Sequence, residues 1–140
     1  MADVNTNTII IDGPQKFVAS FVHTYVNVGE GTPVKKIDVS ALAINPVNGN
    51  PCIGVRINKI LYSTIGLTLK INWFANTQVL AAQVPENYSD VLDFSSFSGL
   101  PNPTIGDAGS NGDIYFGTVG EAANDSYTVV MECIKIYGNT

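Results

Sequence analysis

The sequence predicts an all-β fold: a single-domain antiparallel β-sandwich or jelly roll of about eight strands. Three observations carry that expectation. Segments such as Gly66 to Trp73 alternate apolar and polar residues with a period of two. Loops rich in Gly, Asn, Asp and Pro separate these segments at short intervals. No stretch long enough for a helix of three turns carries an apolar period near 3.6.

Composition agrees with this class. A chain of 140 residues fits one domain, and a domain near that size buries roughly 68–70% of its unfolded surface. Hydrophobic residues at 45% are ordinary, but charged residues at 14% lie well below the usual level of about 25%. The expected surface is polar and nearly uncharged, which suits packing against neighbours, since Lys and Glu are depleted at interfaces. A net charge of -5 lacks the basic footprint of a sequence-independent nucleic-acid binder. The adjacent pair Lys35-Lys36 reads as a strand edge or turn. Met1 to Thr6 has neither a basic n-region nor an apolar h-region. No apolar run approaches the roughly 20 residues of a membrane span. The expectation is a protein made in the cytoplasm, with no nucleic-acid or membrane partner.

The elements are predicted in chain order. Residues 1–8 are polar and aperiodic, so they form a flexible N-terminal arm ahead of a β domain over residues 9–140. Ile9-Ile10-Ile11 is a short strand stopped by the turn Asp12-Gly13-Pro14. From Lys16 to Val28, Phe17, Ala19, Phe21, His23 and Tyr25 share one face of a strand, and Lys36 to Ile44 reads as its partner. Asn45 to Pro51 is a loop with a tight turn at Asn48-Gly49. Ile53 to Ile57 starts a strand that Lys59 to Ser63 extends across a bend. Leu67, Leu69, Ile71 and Trp73 then line a core strand, with Trp73 as a buried anchor. Val79 to Val84 fits helix or strand equally, and Pro85 stops it. Val91 to Phe94 precedes a long loop from Ser95 to Gly112. Asp113 to Val119 and Tyr127 to Ile136 are the last strands.

Residues able to do chemistry are sparse. Cys52 and Cys133 form no CxxC pair; they read as free buried thiols, with a bridge between two strands as the alternative if the fold brings them together. His23 alone cannot supply a zinc site. Asp90 and Asp93 are the candidate carboxylate pair for glycoside cleavage, although their setting reads as a turn entering a strand. No G-x-S-x-G occurs. Asp107, Asn111 and Asp113 resemble part of a calcium loop, but Gly109 and Thr118 occupy positions that need oxygen ligands. The sequence therefore predicts no catalytic residues, no cofactor and at most a weak metal candidate.

Several motifs recur in a familiar order: Trp73, Ala75 and Thr77; Val84-Pro85-Glu86; Leu92 to Leu100; Gly112-Asp113-Ile114; Thr118-Val119-Gly120; and Asp125 to Val129. In this order the chain resembles a family of small uncharacterised virion structural proteins of marine tailed phages, cyanophages among them. The resemblance covers residues 67–136, and the first half only in outline. It implies a virion location and a non-enzymatic role, most plausibly as a capsid decoration or cement protein on the outer head surface. Its partners would be the major capsid protein or other virion proteins, with a homo-oligomer, a trimer in preference, as its own assembly. Candidate contact residues are Ala2, Asp3, Val4 and Asn5 in the arm, Asn48 and Asn50 in one loop, and Pro101, Asn102 and Pro103 in the other. The alternative is a tail, neck or fibre module binding host glycans, with Tyr62, Trp73, Tyr88 or Tyr115 stacking on sugar rings.

Overall fold

The computed structural model describes residues 3–26, 30, 33–105 and 109–138. Within them lie nine strands: β1 (Val4–Asp12), β2 (Lys16–Thr24), β3 (Val34–Ile37), β4 (Cys52–Ile65), β5 (Thr68–Trp73), β6 (Val79–Val84), β7 (Ser89–Asp93), β8 (Ile114–Val119) and β9 (Ser126–Tyr137). Two 3-10 turns, Val39–Ala41 and Ser95–Phe97, complete the regular structure. The strands form a five-stranded sheet in the order β1-β2-β9-β4-β7 and a four-stranded sheet in the order β3-β8-β5-β6.

That order is a nested one. β2 pairs with β9, β3 with β8, β4 with β7 and β5 with β6, all antiparallel. The strands β2 to β5 thus run against β9 to β6 as the two arms of one long hairpin. Rolling this hairpin brings β4 beside β9 and β5 beside β8, which divides the strands between two facing sheets. This is the jelly-roll arrangement of an antiparallel sandwich. β1 stands outside the nest, added to the free edge of β2.

The alternation seen in the sequence fills the space between the sheets. Phe17, Ala19 and Phe21 from β2, Tyr127, Val129, Met131 and Cys133 from β9, and Leu69, Ile71 and Trp73 from β5 are all buried. Phe21 meets Phe116 of β8 edge-on across the sandwich, with centroids 5.2 Å apart. In β4 the buried set shifts phase, from Val55 and Ile57 to Ile60 and Tyr62. A bulge between Ile57 and Lys59 inserts the extra residue that makes the shift. The bend expected before Lys59 is this bulge.

Two expectations need correction, and one open reading is resolved. Lys36 to Ile44 is not a strand beside β2. β3 ends at Ile37 and pairs with β8 in the other sheet, because the Asp38 carboxylate accepts from the Ser40 amide at 3.1 Å and turns the chain into the 3-10 turn. The ambiguous segment Val79 to Val84 is strand β6, settled by its ladder to β5. The arm has no structural boundary at residue 8: β1 runs from Val4 to Asp12 and pairs with β2 along its length. Residues 1 and 2 lie outside the described residues.

Candidate functional site: an open strand edge

The two sheets have four edges, β1 and β7 in one and β3 and β6 in the other. Three carry the features by which β proteins discourage further pairing. β3 has four residues and contains Lys35 and Lys36. β7 has five residues and contains Asp90 and Asp93. β6 meets β5 through a bulge at Ile71/Asn72. β1 also has a bulge, at Ile9/Ile11 against β2, but it is longer than the other three. It is nine residues long, VNTNTIIID, with no Lys, Arg or Pro and its single charge at the last position. Every one of its residues is exposed, with Ile9, Ile10 and Ile11 at 62%, 55% and 43%. One backbone edge is paired to β2, and the other has no partner among the described residues.

Polar ties hold β1 near both ends. The His23 ring donates from Nδ1 to the Asn5 side-chain oxygen at 2.7 Å. At the other end the Lys135 ammonium contacts the Asp12 carboxylate and donates to the Ala43 carbonyl at 3.2 Å, while the Ala43 amide donates to Asp12 at 3.0 Å. The Lys135 side chain is fully buried, so this contact is screened little by solvent. Between the ties, β1 is fixed by its ladder to β2 and presents its outer edge.

Beneath the Asn5 tie lies the densest group of ionisable side chains. The Glu30 carboxylate accepts from the Tyr127 hydroxyl at 2.6 Å and the Lys36 ammonium at 2.7 Å. His23 stacks on Tyr127 with centroids 5.2 Å apart, and its Nδ1 lies 3.9 Å from Glu30. Burial, with the Glu30 charge beside it, pushes the Tyr127 phenol far above its ordinary range and keeps it a neutral donor. Glu30, His23 and Tyr127 are at most 2% exposed, so no substrate reaches them. The group is an internal polar tie between the sheets.

The other predicted residues fall in varied settings. Ala2 and Asp107 lie outside the described residues. The Asp3 carboxylate accepts from the Val26 amide at 2.7 Å. Val4 is exposed at the start of β1, but Asn5 is engaged with His23. Asn48 and Asn50 sit in an exposed turn that satisfies itself, since Asn48 accepts from the Asn50 amide at 3.0 Å. Pro101 and Pro103 are exposed, whereas Asn102 between them is buried and accepts from the Thr104 amide and hydroxyl. Asp113 accepts from the Val39 amide at 2.9 Å and pairs with Lys35 at 3.2 Å. Asn111 accepts from the Asp113 amide at 3.0 Å. Both calcium candidates are thus occupied by protein donors.

Asp90 and Asp93 are three apart on β7 and point to opposite faces. They cannot flank one bond. Of the aromatic candidates, Trp73 and Tyr62 are in the core and Tyr88 is exposed. Tyr115, partly exposed, stacks on Phe74 with centroids 4.6 Å apart. The sequence reading missed the Glu30 network and the Asp12–Lys135 tie. The signal available was Lys135 within the alternating segment of β9, on the same face as Cys133. No family model, curated protein or solved structure matches the chain.

Proposed function

We propose that this chain is a non-enzymatic structural protein of a phage particle, a decoration or cement subunit on the outer head surface, and that its partner surface centres on the β1 edge. The observation that carries the reading is the β1 edge itself: nine exposed residues with no Lys, Arg or Pro and one charge at the last position, longer than any other edge strand. Such an edge offers a row of backbone donors and acceptors to an extended segment of a neighbour, and its isoleucines add apolar area on pairing.

Three further features support the reading. The jelly roll is shared by viral capsid and lectin domains, although a fold alone does not define a function. The low charge reduces the desolvation that a broad contact would require. The resemblance of residues 67–136 to virion proteins points to the same setting. In the particle, the subunits form a small homo-oligomer, a trimer in preference, beside the major capsid protein, and many modest contacts reinforce one another through avidity. Quantitative mass spectrometry of purified particles tests the assignment. Hundreds of copies per particle are expected; a dozen or fewer would overturn it.

A further inference from the structure

The outer face of the four-stranded sheet carries a second surface, remote in character from the β1 edge. Because Leu69, Ile71 and Trp73 face the core, Thr68, Lys70 and Asn72 face outward from β5. There they border a groove of about 400 Å³, lined by Pro33, Lys70, Asn72, Gln78, Gly117 and Val119 among others. That volume is within the usual range for small-molecule sites, about 300–1,000 Å³.

Two carboxamides in this groove lack partners. Asn72 is only 8% exposed although it lies on an outer face, and among the described residues its side chain makes no hydrogen bond. The Gln78 side-chain oxygen is buried and equally unpaired. Leaving a buried polar group unsatisfied costs about 1–3 kcal/mol, so the Gln78 oxygen, with the Asn72 carboxamide unpaired beside it, marks the groove as a place for an outside hydrogen-bonding partner. Each carboxamide presents an acceptor and paired donors, the pattern that matches adjacent hydroxyls on a sugar ring.

The surroundings favour the same ligand. Gly117 is the cross-strand partner of Lys70 and puts no side chain into the groove. Tyr115 is the cross-strand partner of Asn72, and its ring, stacked on Phe74, supplies an aromatic surface beside the carboxamides. Lys70 is on the same face with no ion pair among the described residues, so its ammonium is available to an anionic substituent. A single lysine in a chain of net charge -5 is no track for a nucleic-acid backbone.

We propose that this groove is a saccharide-binding site, in which Asn72 reads ring hydroxyls, Gln78 and the neighbouring Tyr115 shape its wall, and Lys70 favours a sugar bearing a carboxylate or sulfate. The reading does not depend on the head assignment. It is tested on the full chain with a glycan array spanning neutral, uronic and sulfated saccharides, followed by calorimetric titration with oligogalacturonate and with a neutral oligogalactose of equal length. The expected result is stronger binding of the acidic oligomer, lost by about tenfold or more in Asn72→Ala, consistent with one good polar contact at about 1.4 kcal/mol per tenfold.

Gly117→Ala provides a second variant. A Cβ there would meet the Glu30 carbonyl and Pro33 at 3.5 Å, ordinary contact, so the variant folds but fills the groove floor, and it should weaken binding several-fold. Lys70→Met should abolish the preference for the acidic oligomer. Failure of the wild type to bind any class of saccharide, or binding undiminished in both Asn72→Ala and Gly117→Ala, would overturn the proposal.

Discussion

Glu30→Ala should be among the most damaging single substitutions in the molecule. Its carboxylate accepts from Lys36 at 2.7 Å and Tyr127 at 2.6 Å, and the Lys36 side chain is 2% exposed. Removing it strands an ammonium and a phenol hydroxyl out of water, with His23 Nδ1 as the nearest polar atom on one side. Breaking one partner of a buried ion pair costs about 3–5 kcal/mol. Against a total stability of about 5–15 kcal/mol, that is about a fifth at the least. The corresponding fall in melting temperature is about 10–15 °C for a domain of this size. Replacing both charges, Glu30→Ala with Lys36→Met, removes the stranded ammonium and should recover about 2 kcal/mol or more relative to Glu30→Ala alone. Urea unfolding followed by fluorescence of the single tryptophan, buried Trp73, measures all three variants. A loss below about 1 kcal/mol in Glu30→Ala, or no recovery in the double variant, would refute the view that this ion pair is a structural tie.

One treatment and four other substitutions probe different parts of the molecule. Burial raises the Cys52 thiol and pushes that of Cys133 far above its ordinary range, and both residues are buried, so Ellman's reagent at neutral pH should titrate no thiol rapidly in the native protein and both after denaturation. Gly112 has φ +83° and a Cβ there would lie 2.1 Å from the Ile53 carbonyl, whereas Gly49, at φ +75°, has open space around it. Gly112→Ala should therefore cost several times more than the roughly 1–2 kcal/mol of left-handed strain alone expected for Gly49→Ala, a contrast read by urea denaturation. The Ser40 hydroxyl holds the Asp38 carboxyl below its ordinary pKa, so the stabilisation it gives is complete above the unfolded value of about 3.9 and lost as pH falls through the folded one. Asp38→Asn should then be less stable than wild type near neutrality and converge with it on acidification, as followed by melting temperature against pH. Ile10→Lys places a charge on the β1 edge and should shift self-association toward monomer in analytical ultracentrifugation; an unchanged assembly would remove β1 from the oligomer interface.

Much of the fold was legible because period-two alternation marks which residues face a core. Phe17 to His23, Leu69 to Trp73 and Tyr127 to Cys133 follow it without interruption and are buried as expected. The arrangement of strands into a nested roll was not legible, since pairing β2 with β9 joins residues more than a hundred positions apart and alternation says nothing of partners. The failure at Lys36 to Ile44 had a local cause: Asp38 can hydrogen-bond its own backbone and divert the chain, an effect that apolar spacing cannot register. β1 was misread for the opposite reason. Strand formation at Asn5, Thr6, Asn7 and Thr8 depends on the ladder supplied by β2, and polar residues with no buried face leave no apolar pattern. Of the candidate site, Val4 was identified, but the exposed isoleucines were read as a strand alone, and their lack of cover appears only when the other sheet is seen to stop at β3.

The distribution of charge joins these findings. The chain has seven Lys and Arg residues, and most are tied down within the fold. Lys36 is bound to Glu30, Lys135 to Asp12, Lys35 to Asp113 and Lys16 to Glu132, while Arg56 donates to the carbonyls of Ser98 and Gly99. A protein that needed its basic residues for solubility would leave them solvated on the strand faces and edges. Here they fasten β1, β3 and the loop after β7, and the β1 edge is left without a cation to repel a neighbouring strand. Lys59 and Lys70 have no such tie among the described residues, and Lys70 stands in the groove lined by Asn72 and by Gln78, whose oxygen lacks a partner. The same economy of charge that leaves one edge open to association therefore makes an untied lysine a specific feature, which is why Lys70→Met and Ile10→Lys are expected to act on separate properties: ligand preference in one case and assembly in the other.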